Sequence, residues 1–357
     1  MRPSTLVLAS LALLSAPAAR AGSELVVQTG HATPVNELDF SSDGTRLVTT
    51  ARERTVIVWD IRTGSEQLRL VHPGPASGAA FSPDGRSVAV VCDAGATHPS
   101  QLAIWDARTG APRAVYRADA KAALVGPWFS ADGREVWVGS KPSIGMDQSA
   151  IVVDPSSGSV KRTFKLEKGR LVRFDAGVAL VALRVKGAPD ALARLDPATG
   201  TVASPYELAG AKPEIVDVSN DGKLLALTLG MDSRSGTGAA LTLRETATGK
   251  ELLNVPGGKQ RYLGTLALAP NAGLMVSGWN RTGNESYRLE LRAVPSGSVV
   301  REIDTQQNDR TPSASFSPDG SLLAVAVAGG SWSCSTPRRV RGCDGCRRGC
   351  SRSPRSS

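Results

Sequence analysis

The sequence predicts an all-β repeat protein, and three observations predict it. Short apolar runs carry β-branched residues, glycine turns separate them, and the turns return at a near-constant interval. The stretch from Gly30 to Gly64, GHATPVNELDFSSDGTRLVTTARERTVIVWDIRTG, shows the unit. Val35 to Phe40, Arg46 to Thr50 and Thr55 to Ile61 are of strand length and end at turn residues, and Gln67 to Val71 supplies a fourth run. Ser42-Asp43-Gly44 and Arg62-Thr63-Gly64 are the turns, with Gly taking the positive φ and Asp bonding its own backbone. The unit therefore reads as a four-stranded antiparallel meander.

Its turn recurs along the chain as SSDG, SPDG, SADG, FDAG, SNDG, APNAG and SPDG. The closing glycines are Gly44, Gly85, Gly133, Gly177, Gly222, Gly273 and Gly320, spaced by 41, 48, 44, 45, 51 and 47 residues. A second marker keeps the same phase: Trp59-Asp60 with Thr63-Gly64, Trp105-Asp106 with Thr109-Gly110, Val153-Asp154 with Ser157-Gly158, Leu195-Asp196 with Thr199-Gly200, Arg244-Glu245 with Thr248-Gly249, and Leu291 with Ser296-Gly297. With Gly30-His31 at its start and Trp59-Asp60 at its end, the first unit resembles one repeat of the WD-repeat β-propellers, whose blades run to about 40–45 residues. The resemblance implies a seven-bladed β-propeller of four-stranded antiparallel blades, with divergent repeats of a secreted bacterial type.

Taken in order, the blades depart from that family pattern in instructive ways. Trp stands at the marker position only in the first two repeats, and only these have a His near their start, His31 and His72. In the family, a His, a strand hydroxyl, a turn Asp and the Trp form a buried polar network. Here Arg52-Glu53 occupies the place of that Asp, so the network is expected to be incomplete. Later blades are expected to depend on apolar runs such as Leu224 to Leu227 and Leu322 to Val327. In the family the first strand of the chain forms the outer edge of the last blade, and ELVVQ at 24–28 is placed for that role.

The two ends differ in character from the body. Residues 1–21 combine a basic start at Arg2, an apolar run from Leu6 to Leu14 and Ala19-Arg20-Ala21, which reads as a cleavable export signal with no membrane insertion after cleavage. The propeller is assigned to 22–330. Residues 331–357 hold seven Arg against one Asp and four of the five Cys, and read as a disordered basic tail. Cys343-x-x-Cys346 with Cys350 has zinc-like spacing but no His beside it. If the codons for Trp332 to Arg341 are GC-rich, the adjacent frame spells Leu-Val-Leu-Leu-Asp-Ala-Ala-Ser-Gly-Ala, the third strand and turn that the last blade needs. The tail is therefore expected to be a frameshift product, with a genuine tail as the alternative, and the last blade is expected to be incomplete.

The formal charge of +9 lies mostly in these ends, which leaves 22–330 close to neutral and argues against nucleic acid as a partner. No nucleophile elbow, metalloprotease, phosphate-loop or dinucleotide motif is present, so no catalytic residue, cofactor or metal is assigned. Acidic residues fall mostly in turns. The turns on one face are short and regular, while the opposite face carries Asp93 to Ser100, Ser140 to Ser149, Gly230 to Gly238 and Gly278 to Ser286. Segments of this length on a rigid scaffold are where binding residues concentrate. His98, Lys141, Met146, Asp147, Arg234, Trp279 and Arg281 are the candidates for contacting a partner. The function expected is a monomeric, exported, periplasmic or secreted scaffold that binds a protein or peptide and catalyses nothing. An exported propeller with a small-molecule or hydrolytic site in its central channel is the alternative.

Overall fold

The computed structural model describes residues 24–27, 30–95, 97–119, 122–141, 148–167, 169–183, 191–206, 208, 213–230, 239–258, 261–281, 288–304, 313–327 and 331–335. These residues form antiparallel sheets and their turns, with no helix among them. Blade one comprises Val35–Phe40, Arg46–Ala51, Thr55–Asp60 and Glu66–Val71; blade two, Ala76–Phe81, Ser87–Cys92, Gln101–Asp106 and Pro112–Arg117. Blade three comprises Ala123–Phe129, Val136–Lys141, Gln148–Val153 and Val160–Leu166; blade four, Gly169–Asp175, Val178–Leu183 and Ala191–Leu195. Blade five comprises Pro213–Val218, Leu224–Leu229, Ala239–Glu245 and Glu251–Gly258; blade six, Arg261–Leu268, Leu274–Arg281, Arg288–Ala293 and Val299–Asp304. The last sheet joins Ala314–Phe316, Leu323–Val327 and Ser331–Ser335 to Glu24–Val27.

The turns that set the period are held by their own side chains. Ser41 Oγ donates to Asp43 Oδ1 at 2.6 Å, and the same carboxylate oxygen accepts the Thr45 N–H at 3.0 Å. Gly44, at φ +68°, closes the turn with its N–H on the Ser41 carbonyl at 2.8 Å. The Ser-x-Asp bond repeats at Ser82, Ser130, Ser219 and Ser317. Blade four differs because Ala176 and Gly177 both take positive φ, which makes a two-residue hairpin turn directly between Asp175 and Val178.

Each sheet packs on its neighbours through an apolar seam. Val48, Val56 and Val58 of blade one meet Val88, Val90 and Phe81 of blade two. At the other end of the chain, Leu322, Ala324, Ala326 and Cys334 of the last sheet pack on Val35, Leu47, Ile57 and Trp59 of blade one. The first strands touch in succession around the molecule, and the last touches the first, so the ring closes. Each first strand except Ala314–Phe316 carries a bulge in its pairing with the second, at Asn36 in blade one and Glu214 in blade five, for example. A bulge adds local twist and turns the strand along the axis.

Two expectations need correction. The last sheet is complete: Ser331–Ser335 pairs with Leu323–Val327 on one side and Glu24–Val27 on the other, so the third strand begins where a disordered tail was expected. Ladder bonds use backbone groups, so a polar SWSCS segment pairs as well as an apolar one if the inward position suits. That position is Cys334, which is 4% exposed in the seam. The outer edge supplied by residues 24–27 was read correctly. Among the described residues the short sheet is instead blade four, with three strands where four were expected. Beyond its third strand, Ala203 N–H donates to Arg194 O and Tyr206 N–H to Leu192 O, both at 2.8 Å, which is too irregular for a ladder. The export signal and residues 336–357 lie outside the described residues.

Candidate functional site

Four of the seven residues singled out on the loop face fall among the described residues. His98 is half-buried, and its ring packs against Gly74 and Gly95 of its own loop, with Nδ1 at 3.2 Å from Pro99 O. It is a loop-packing residue as placed. Lys141 ends the second strand of blade three opposite Ala123. Trp279 and Arg281 lie in the second strand of blade six, paired with Leu263 and Arg261. This corrects the reading of Ser140 to Ser149 and Gly278 to Ser286 as loops throughout, since strand continues to Lys141 and Arg281. The second strand of blade six has eight residues where that of blade one has six, so its hairpin carries two residues further toward this face. Met146, Asp147 and Arg234 lie outside the described residues.

Blade one contains the buried polar network that was expected to be incomplete. His31 Nε2 lies 2.8 Å from Thr49 Oγ1, and Trp59 Nε1 donates to the same hydroxyl at 2.8 Å. His31 Nδ1 meets Glu53 Oε1 at 2.5 Å, and Glu53 also accepts from Thr55 Oγ1 and the Ala32 N–H. Glu53 thus serves where the family has Asp, its extra methylene reaching back from the turn. Burial lowers the pKa of His31 despite the attraction of Glu53. Burial alone would raise Glu53, but the bonds from Thr55, His31 and Ala32 outweigh it and lower its pKa.

The feature that sequence reasoning missed is the centre of the ring. The first strands of all seven sheets line a channel of about 920 Å³. Into it face Glu37 and Asp39 of blade one, Arg170, Arg173 and Asp175 of blade four, and Asp217 of blade five. Pairing registers put Asp39, Arg173 and Asp217 at one level, each a residue before the turn-proximal Phe40, Phe174 and Val218. Arg173 Nη2 donates to Asp175 Oδ2 at 2.8 Å and Asp217 Oδ1 at 2.9 Å, so two carboxylates share one nitrogen. The other oxygen of Asp217 accepts the Leu268 N–H of blade six at 2.7 Å, and Asp39 Oδ2 accepts the Phe81 N–H of blade two at 2.9 Å. These first strands are the inner edges of their sheets, and the carboxylates satisfy edge N–H groups across blade boundaries.

The channel alters the acidities of its walls. Desolvation in the ring pushes Asp39 up to about 6, against the bond from the Phe81 N–H and the pull of Arg173, and acts on Glu37 in the same direction. Glu37 touches the channel's solvent and is the less desolvated of the two. Asp217 is raised by the same burial, again against Arg173. Burial disfavours the charge on Arg173, but Asp217 and Asp175 overcome it and raise its pKa. A sequence signal for the site did exist: charged residues recur at one register of the innermost strand, where the other sheets carry Ala80, Trp128, Ala267 and Ser315.

Among the described residues, no three His, Cys, Asp or Glu side chains converge as a metal site, and no helix is long and apolar enough to cross a membrane. The family model described as WD domain, G-beta repeat, matches residues 22–60. Coronin-7 of Bos taurus is 34% identical over 114 residues, which is 31% of this chain and 11% of that protein. The periodic tryptophan protein 2 homolog of Schizosaccharomyces pombe is 34% identical over 90 residues, 25% of this chain and 10% of that protein. The aligned part therefore spans about a tenth of each curated relative. Among solved structures, the β-propeller domain of Myceliophteria thermophila Cps50 (Swd1) superposes with a TM-score of 0.68 at 13% identity, covering 88% of this chain and 99% of that one.

Proposed function

We propose that this chain, a β-propeller whose residues 22–60 match the WD-repeat model, acts as an exported, non-enzymatic scaffold holding a protein or peptide partner on the face opposite its Asp-Gly and Thr-Gly turns. The observation that carries this reading is the unequal height of the hairpins on that face. The regular turns spend their polar groups on one another, as Asp60 does in accepting the Thr63 N–H at 2.8 Å. On the opposite face the hairpin of blade six outreaches that of blade one by two residues. A rigid ring with one raised hairpin presents a defined contact surface at little ordering cost. Trp279 and Arg281 stand on that hairpin, and Trp and Arg are the side chains most often found as interface anchors.

Export rests on residues 1–21, and the near-neutral body fits a protein partner better than nucleic acid. We take the molecule to be a monomer that leaves the membrane once the leader is removed. N-terminal sequencing of the mature protein should begin at Gly22, and a chain retaining Met1 in the cytoplasm would refute export. For the scaffold, affinity capture with the full chain should recover a partner that is lost on Trp279→Ala with Arg281→Ala while the circular dichroism spectrum is unchanged. Retention of that partner by the double variant would remove the raised hairpin from the interface. Sequencing the DNA across codons 325–340 tests whether the tail arises from a frameshift.

The channel favours a second reading, a small-molecule site, because its volume would admit a ligand and its walls carry charged groups. Elemental analysis and an ultraviolet-visible spectrum of protein purified from its source would reveal a bound metal or chromophore and support it.

A further inference from the structure

Like charges stand opposite each other at the loop-face end of blade six. The register of its first two strands pairs Arg261 with Arg281, two residues beyond the pairing of Leu263 with Trp279 that precedes the bulge. At the same distance beyond the bulge, blade three pairs Ala123 with Lys141 and blade four Gly169 with Leu183, so neither sets cation against cation. The third strand of blade six brings Arg288 opposite Trp279, and this arginine is answered on its own sheet by Glu302 at 3.7 Å, with Asp304 opposite it in register. Arg261 and Arg281 have no such answer in the ladder, because each is the other's register partner. Strand alternation places both, with Trp279 and Arg288, on one face of the sheet. On the same face Met275 packs with Leu241 and Leu243 of blade five, so these four residues stand at the loop-face end of the seam between blades five and six.

We propose that this end of blade six binds an acidic, extended peptide segment of the partner, whose carboxylates supply the counter-charge that Arg261 and Arg281 lack in the ladder. The inference rests on the scaffold reading and names the chemistry of its partner. Like charges directly opposite destabilise a strand pair, so the two arginines weaken their own sheet end unless an anion joins them. Guanidinium groups hold a carboxylate through two parallel bonds, which makes a peptide carboxylate a fitting anion. Trp279 shares their face and is of the residue type that anchors interfaces. A peptide fits better than nucleic acid, because the cations are confined to the end of one blade instead of running in a stripe, and the body of the chain is near neutral.

The test is fluorescence anisotropy of a labelled oligoglutamate peptide titrated with the full chain, alongside thermal unfolding of the same variants. Binding is expected, weakening as salt is added. Arg261→Gln with Arg281→Gln is expected to weaken it by about tenfold or more. Either single variant should melt higher than the parent, by about 1–2 °C, since it removes the repulsion. Weaker binding by a more stable chain is a combination that a merely structural arginine would not give. A lower melting temperature would show that a carboxylate of the chain itself, such as Glu285, already answers the pair, and would overturn the proposal. So would oligolysine binding as tightly as oligoglutamate, or duplex DNA or phosphatidylglycerol vesicles binding more tightly through the same two arginines. If the double variant does not fold, Arg281→Gln alone carries both readouts. A captured partner that is lost on Trp279→Ala but kept by the double Gln variant would overturn the acidic segment and leave the scaffold standing. Arginine-dependent oligoglutamate binding with no partner captured would support the acidic ligand and count against the scaffold.

Discussion

Blades one and two begin alike and diverge in the side chains that meet the His, Thr49 and Glu53 in blade one. Both place a His at the start and a Trp on the third strand, His31 with Trp59 and His72 with Trp105; the first three of these are buried and Trp105 is half-buried. In blade one the hydroxyl of Thr49 joins the two rings. The pairing registers put Val90 at the corresponding position of blade two, since Thr49 lies opposite Leu38 and Val90 opposite Ala79. With a methyl in place of the hydroxyl and no counterpart of Glu53, His72 has neither ring nitrogen bonded, and the Trp105 indole N–H has no acceptor among the described residues. The rings instead meet edge to face, with centroids 5.1 Å apart. The same buried pair is thus a hydrogen-bonded strut in one blade and an apolar filler in the next, and the difference shows that the Trp by itself does not make the network.

The largest effect should come from breaking blade one. Thr49→Val would leave the Trp59 N–H and one nitrogen of His31 buried and unmatched, and each orphaned group costs about 1–3 kcal/mol. We expect a loss near ~4 kcal/mol in urea unfolding, and a loss under ~0.5 kcal/mol would show that the network is decorative. Blade two should respond to acid in a way its neighbour does not. Burial pushes His72 down to about 4, so the unfolded chain takes up a proton first as pH falls below ~6.5, and stability drops until pH ~4. The shift corresponds to roughly 3 kcal/mol. His72→Phe should remove that slope while keeping the ring contact with Trp105; an unchanged acid profile would place the slope elsewhere.

The sequence disclosed the period because the turn chemistry is local. Ser41, Asp43 and Gly44 satisfy one another within a few residues, so the motif must be spelled out wherever the turn occurs. The outer edge at Glu24–Val27 was legible through the family resemblance, which puts the first strand on the last blade. What stayed hidden depends on where distant segments meet. Glu53 looked like a departure from pattern, but the network asks for a carboxylate within reach of His31, and side-chain length makes up the difference. Ser331–Ser335 looked like tail because its composition is polar, while pairing uses the backbone and Cys334 packs in the seam. Glu37, Asp39, Arg173 and Asp217 went unread because they come together only when the first strands are gathered around a shared channel. Trp279 and Arg281 were read as loop although the strand continues to Arg281, because eight-residue strands and loops with apolar residues look alike at that length.

The smallest effect sharpens the comparison most, because it asks blade two to become blade one. Val90→Thr changes one methyl for a hydroxyl of similar volume, so packing against Val48 and Val58 across the seam is kept. The new hydroxyl would accept from Trp105 and bond His72, relieving two unmatched groups, and a gain of about 1 kcal/mol is expected in urea unfolding. The control is the same substitution with Trp105→Phe and His72→Phe already present. There the hydroxyl has nothing to bond, and Val90→Thr should cost about 1–2 kcal/mol. A change of sign between the two backgrounds would show that the hydroxyl acts through the His and Trp rings, as Thr49 does in blade one. A loss of stability in both would mean that the blade two rings are set at a distance or angle no side chain at position 90 can bridge, and that the two blades differ in backbone as well as in residue.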